Sequence, residues 1–165
     1  MTARVPRDPY AAVIRQFERY GVRYVVVGMT GINYYAATPA QSFGTMDFDV
    51  LLNPTIKNIE QALSCLKRLE FTMGTAEGPL TADSVRDVVR QRRTVIATTS
   101  EGLMVELWLQ VSGFTFADLA RDVATFMTHG VPIKVGRLQK LLASKKLANR
   151  PKDRQFLKRY GTLEA

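Results

Sequence analysis

The sequence predicts a mixed α/β domain, and three observations carry that expectation. Val22 to Val27 (VRYVVV) is a short β-branched run that leads straight into Gly28-Met29-Thr30-Gly31. Gly44 to Leu52 reads GTMDFDVLL and alternates, with Met46, Phe48, Val50 and Leu52 on one face of a strand and Thr45, Asp47, Asp49 and Leu51 on the other. Segments of helical spacing separate these early strands, whereas the later strands follow one another across short turns, as antiparallel strands do.

Taken in order, residues 9–20 carry Ala12, Ile14 and Phe17 at helical spacing, with Gly21 as a stop. The run 22–27 is a buried strand, and a helix follows the glycine turn to about Ala37. The loop TPAQSFG leads to the aspartate strand. Asn53-Pro54-Thr55 opens a helix with Ile56, Ile59, Leu63 and Leu66 on one face. Residues 72–82, TMGTAEGPLTA, read as an exposed loop. Strands are expected over 92–98 and 103–111, joined by Ser100-Glu101-Gly102. A hairpin over 125–135 turns near His129-Gly130. A helix spans 137–148, and Arg150-Pro151 opens a last short helix, because proline suits a first helical turn.

A chain of 165 residues suits a single domain, 1–165, able to bury a core without staples. The apolar fraction of 46% and charged fraction of 23% are those of an ordinary globular protein. No apolar run approaches the ~18 residues of a membrane span. MTARVPRDPYAA carries no apolar secretory core, and Cys65 is the sole cysteine, so a reducing cytoplasm is expected. The net charge is +8, and Lys134 to Arg159 holds ten Lys or Arg against one acid, Asp153. Such a stretch is either a solvated helical face or a surface for a polyanion.

Asp47 and Asp49 raise the chemical question. Same-face neighbours on a strand stand roughly 6.5–7 Å apart at Cα. Their carboxylates repel, and burying them unpaired is costly. The pair therefore calls for solvent or for hard divalent cations, which prefer carboxylate and phosphate oxygens. In MVELWLQ, Val105, Leu107 and Leu109 share one face, and Glu106, Trp108 and Gln110 the other. If this strand pairs beside the aspartate strand, Glu106 joins the two aspartates; otherwise it is an exposed edge residue. The glycine turn is neither a dinucleotide fingerprint nor a P-loop. Gly28 permits close backbone approach, and a strand that runs through such a turn into a helix offers free N–H groups to phosphate.

Together these residues resemble the nucleotidyltransferase superfamily, the fold of DNA polymerase beta and of small bacterial minimal nucleotidyltransferases, including toxin–antitoxin-associated relatives. YVVVGMTGINYY, then TMDFDVLL, then VELWL match its strand–glycine turn–helix, Asp-x-Asp and third-carboxylate order. KKLANRPKDRQFL resembles the Lys-x₄-Arg-x-Lys-Asp segment of those relatives, on Lys145, Arg150, Lys152 and Asp153. The resemblance implies a mixed β-sheet flanked by helices with a C-terminal helical segment. It implies Mg²⁺ or Mn²⁺ on Asp47, Asp49 and Glu106, and an NTP as substrate near Gly28, Met29, Thr30, Thr45 and Lys145. The implied reaction transfers NMP to a hydroxyl of RNA (such as a tRNA end) or of protein, with release of pyrophosphate. Arg86, Arg90, Arg92 and Arg93 add to the lean towards RNA.

The chain departs from that pattern at Met29, where the second glycine or serine stands, and at Glu106, where aspartate is usual. AQSFG also stands where an arginine is common. A non-catalytic nucleotide- or RNA-binding member, such as one partner of a toxin–antitoxin pair, is the alternative reading, and a metal-dependent glycosyltransferase is a third. Lys145 continues the Leu138, Leu141, Leu142 stripe, so it either meets a triphosphate or carboxylate or snorkels from a frayed edge. Asp153 suits a helix cap or a lysine partner. His129 belongs to a turn. Trp108 either stacks a base or packs as an ordinary aromatic.

Overall fold

The computed structural model describes residues 9–36 and 47–164. The chain runs α1 (Pro9–Arg19), β1 (Tyr24–Val26), α2 (Gly28–Asn33), β2 (Asp47–Leu52), α3 (Ile56–Arg68), β3 (Thr72–Thr75), β4 (Gly78–Pro79) and α4 (Val85–Gln91). It continues β5 (Val95–Thr98), β6 (Met104–Trp108), α5 (Phe116–Ala120), β7 (Ala124–Thr128), β8 (Val131–Val135), α6 (Leu138–Ala148) and α7 (Pro151–Glu164). The strands form one mixed sheet in the order β4-β3-β5-β6-β2-β1-β8-β7. This is the expected α/β architecture, a mixed sheet with helices against it and a helical C-terminal segment.

The centre of the sheet sets the site. β2 lies antiparallel to β1 and parallel to β6, with Asp49 paired to Glu106 and Val50 to Leu107. Phe48, Val50 and Leu52 are buried on one face, where Tyr10 of α1 stacks on Phe48 at 4.7 Å between ring centroids. α1 also packs on β8 and α3. On the opposite face, the one that carries Asp47 and Asp49, α2 packs against β2 and α6. Gly31 permits that approach. A Cβ there would stand 3.0 Å from Leu141 Cδ1 and 3.1 Å from the Val26 carbonyl. No helix among the described residues is long and apolar enough to cross a membrane.

Several elements differ from expectation. Residues 72–82 are not a loop: β3 pairs with β5, and β4 closes a hairpin on it. Short threonine- and glycine-rich strands at a sheet edge carry little apolar alternation, so their composition reads as a turn. α4 turns Val85 and Val88 inward on an otherwise charged segment. α5 is five residues long, with a capping box between Thr115 and Asp118. The helix after the glycine turn begins at Gly28 itself and ends at Asn33, short of Ala37. Arg92 is the left-handed C-cap of α4 rather than the first residue of a strand. The last helix is 14 residues long, not short. Thr45 and the TPAQSFG loop lie outside the described residues.

Asn58 is a buried polar residue that ties three segments together. The Arg23 N–H donates to its Oδ1 at 2.8 Å, and its Nδ2 donates to the carbonyls of Arg23 at 2.9 Å and Asn53 at 3.0 Å. The start of β1, the end of β2 and the first turn of α3 thus meet on one amide. Asn58→Ala strands those backbone groups and is expected to cost about 2–4 kcal/mol. Urea unfolding would show it as a lower midpoint at constant m-value. A loss under about 0.5 kcal/mol would mean that water replaces the amide.

Candidate functional site

Asp47, Asp49 and Glu106 converge. Each offers one carboxylate oxygen, and the three oxygens lie within 4.8 Å of one another. The geometry follows from pleat and register. Asp47 and Asp49 are same-face neighbours on β2, and parallel pairing puts Glu106 beside Asp49. Hydrophobic anchoring holds the strands rigid, because Phe48, Val50, Val105 and Leu107 on the opposite faces are each at most 1% exposed.

The cluster carries an electrostatic cost. Asp49 is only 7% exposed. Burial, followed by the negative charges of Glu106 and Asp47, pushes its carboxyl from 3.8 up to about 7. Lys145 and Lys152 oppose that rise without cancelling it. Three carboxylates at this spacing, one of them holding its proton towards neutrality, fit a hard divalent cation, which would supply the missing positive charge.

A cleft of about 420 Å³, within the size range of small-molecule sites, reaches the cluster through its walls and not through the carboxylates themselves: Gly28 lies against Asp49, and Trp108 is bonded to Glu106. Gly28, Trp108, Lys145, Arg150, Arg92 and Gln110 are among its walls. Gly28 sits at φ +64°, and a Cβ there would run into Asp49 Oδ2 and stand 3.1 Å from the Asp49 Cβ. Glycine is thus required both by the left-handed backbone and by the carboxylate packed against it.

The remaining residues singled out in the sequence take definite places. The Thr30 hydroxyl donates to the Asp47 carbonyl at 2.7 Å and accepts from the Asp49 N–H at 3.3 Å. Both bonds hold the aspartate strand, so Thr30 positions the carboxylates rather than presenting its hydroxyl to phosphate. Met29 packs against the core, which leaves only its backbone for a ligand.

Lys145 is not a frayed edge. Its side chain is 12% exposed and its Nζ meets Asp153 Oδ1 at 3.4 Å, with the ring of Phe156 beneath. Burial pushes its ammonium below the ordinary value, while Asp153 pulls it back. Asp153, 1% exposed, accepts from Arg150 Nε at 2.7 Å and from the Arg150 N–H at 3.2 Å. It therefore caps α7 and pairs with lysine at once. Trp108 donates its indole N–H to Glu106 Oε2 at 3.1 Å.

Of the arginine cluster, Arg90 pairs with Asp87, and Arg93 with Glu77 and Asp87, while Arg92 reaches the cleft. Gln110, Ser112 and Ser144 also line the cleft. The alternation of MVELWLQ put Gln110 on the face of Glu106, but no signal pointed to Ser112 or Ser144, because isolated polar residues near strand and helix ends are ordinary. No protein-family model matches this chain, and no curated protein matches it.

Two outcomes follow from the geometry. Asp49 holds its proton up to about 7 when folded but releases it near 3.8 when unfolded. The folded state binds more protons between these values, so stability falls as pH rises through the window, by up to on the order of 4 kcal/mol. Asp49→Asn should flatten that fall in denaturant titrations from pH 4 to 8, and Mg²⁺ should stabilise the wild type at pH 8 but not at pH 5. Identical slopes in the two proteins would refute the assignment. Gly28→Ala should weaken Mn²⁺ binding at least about tenfold with an unchanged circular dichroism spectrum, since its methyl displaces a ligand group. Calorimetric titration with Mn²⁺ reads this directly, and an unaltered affinity would place the cation elsewhere.

Proposed function

We propose that this chain is a metal-dependent nucleotidyltransferase that transfers NMP from an NTP to a hydroxyl acceptor and releases pyrophosphate. The observation that carries the reading is the convergence of Asp47, Asp49 and Glu106 beside a cleft lined by Lys145 and Arg150. The order of the glycine turn, Asp-x-Asp strand, third carboxylate and Lys-x₄-Arg-x-Lys-Asp segment supports it as a resemblance.

Asp47, Asp49 and Glu106 would hold Mg²⁺ or Mn²⁺, which supplies Lewis acidity at phosphate oxygens and at the attacking hydroxyl. Lys145 and Arg150 bring positive charge to the same cleft and draw the triphosphate into it. The acceptor oxygen forms its bond to the α-phosphorus as the bond to the bridging oxygen breaks. Pyrophosphate leaves with that electron pair. Glu106 would help to take the proton that the attacking hydroxyl releases. Much of the acceleration in such a site comes from positioning, and paired strands are rigid enough to provide it.

The acceptor class is proposed from charge. Arg150 lines the cleft just before α7, which exposes Lys152, Arg154, Lys158 and Arg159. A polyanionic acceptor such as RNA suits that surface. One observation favours a second reading, a nucleotide-binding module without turnover. Met29 and Thr30 are committed to the core and to the β2 backbone, so the glycine turn holds phosphate less than its resemblance implies.

Label transfer separates the two. Wild type and Asp47→Asn/Asp49→Asn are incubated with Mg²⁺ or Mn²⁺, total RNA, cell protein and each α-labelled nucleoside triphosphate. Label in RNA or protein with the wild type, reduced at least about a hundredfold in the variant, is expected. Nucleotide binding without label transfer would favour the module, and loss of both would refute the site.

A further inference from the structure

We infer that Trp108 is the positioning residue for Glu106, holding one carboxylate oxygen so that the other faces Asp47 and Asp49. Glu106 and Trp108 lie two residues apart on β6, on the same face of the sheet, and both are half-buried. The indole Nε1–H donates to Glu106 Oε2 at 3.1 Å, and the same indole forms part of the cleft wall. Across the parallel ladder, Asp49 stands beside Glu106 and Leu51 beside Trp108. The ring is therefore packed next to a buried leucine, while its single polar atom is turned to the carboxylate.

Chemistry explains the pairing. Glutamate has one more rotatable bond than aspartate, so a glutamate ligand loses more freedom when it is held. The indole N–H donates and cannot accept, so it fits a carboxylate in its ionised form and cannot act as a competing ligand for a cation. Arg150 also brings charge near Glu106, but its guanidinium is bound to Asp153 through Nε and Nη2. Trp108 thus fixes Oε2 and leaves Oε1 to act as a ligand. The inference rests on the nucleotidyltransferase reading for its consequence, though not for its geometry.

The chain has one tryptophan, so indole emission reports on the surroundings of Trp108. The experiment measures Mn²⁺ affinity by calorimetry, indole emission, and the kinetics of label transfer. The proteins are the wild type, Trp108→Phe, Trp108→His, Glu106→Asp and Trp108→Phe/Glu106→Asp. Mn²⁺ should change the emission of the wild type. Trp108→Phe should lower Mn²⁺ affinity and kcat by about ten- to a hundredfold, the range of a hydrogen bond to a charged group, with the KM for nucleotide unchanged. Trp108→His keeps a ring N–H and should recover part of the loss. Glu106→Asp withdraws the carboxylate from the indole, so Trp108→Phe should add nothing in that background.

A folded Trp108→Phe protein with wild-type Mn²⁺ affinity overturns the positioning role and leaves the metal reading intact. Multiplicative losses in the double variant overturn it too. If Trp108→Phe does not fold, the comparison passes to Trp108→His, where loss equal to that of Glu106→Asp overturns the role and partial retention supports it. Absence of Mn²⁺ binding by the wild type overturns the metal reading and the positioning role together.

Discussion

Parallel pairing of β2 with β6 is the constraint on which the site depends. It brings Asp49 level with Glu106, although 56 residues of chain separate them. A slip of one residue would turn Glu106 to the opposite face and put Val105 or Leu107 in its place. The register is protected because that opposite face is buried: Phe48, Val50, Val105 and Leu107 belong to the core, and Tyr10 of α1 stacks on Phe48. The hydrophobic effect thus holds together three carboxylates that repel one another. Neither half of the strand alternation is sufficient alone: the apolar residues set the register, and the acidic ones acquire their geometry from it.

A second layer of interactions supports the same strand. Thr30 grips the backbone of β2 on both sides of Phe48, through the Asp47 carbonyl and the Asp49 N–H. Gly28 lets the chain pass against the Asp49 carboxylate. Lys145, Asp153 and Arg150 then join α6 to α7 at the cleft wall. An ion network around a buried carboxylate such as Asp153 need not add stability, because desolvation offsets much of its Coulombic gain. Its value here is geometric. Asp153 has four contacts to satisfy it, so Lys145 and Arg150 are held at the cleft instead of wandering in solvent.

How far the sequence was legible follows from the range of each interaction. The period of two in TMDFDVLL and MVELWLQ is local, so the faces of Asp47, Asp49 and Glu106 could be read directly, whereas the pairing that unites them is not local. The Pro9–Arg19 and Ile56–Arg68 helices were legible from their apolar stripes. The β3–β4 hairpin was not, because Thr72–Thr75 pairs through its backbone near the sheet edge that β4 forms, where side chains carry little pattern. α4 and α5 are 7 and 5 residues long, too short to show two turns of amphipathic spacing. The Lys145 stripe was legible, but its partner depended on how α7 folds back. The indole–carboxylate bond was within one strand, and the shared face of Glu106 and Trp108 announced the neighbourhood though not the contact.

The energetics of Asp49 give these observations a common direction. A group 7% exposed, beside two other carboxylates, makes the folded state resist ionisation. Apolar packing elsewhere must offset that resistance, and a sequence selected for stability alone would place leucine there, as it does two residues on at Leu51. Positive charge would relieve the repulsion. A divalent cation would bind with a gain that the same carboxylates spread over an open surface could not offer. The basic surroundings do not remove this demand: Lys145 and Arg150 are turned towards Asp153, and their charge reaches Asp49 only in part. A net charge of +8 therefore coexists with a local deficit of positive charge at the strand centre. The charge of the chain as a whole and the charge at Asp47, Asp49 and Glu106 are thus opposite in sign, and a cation placed among the three carboxylates would relieve their mutual repulsion.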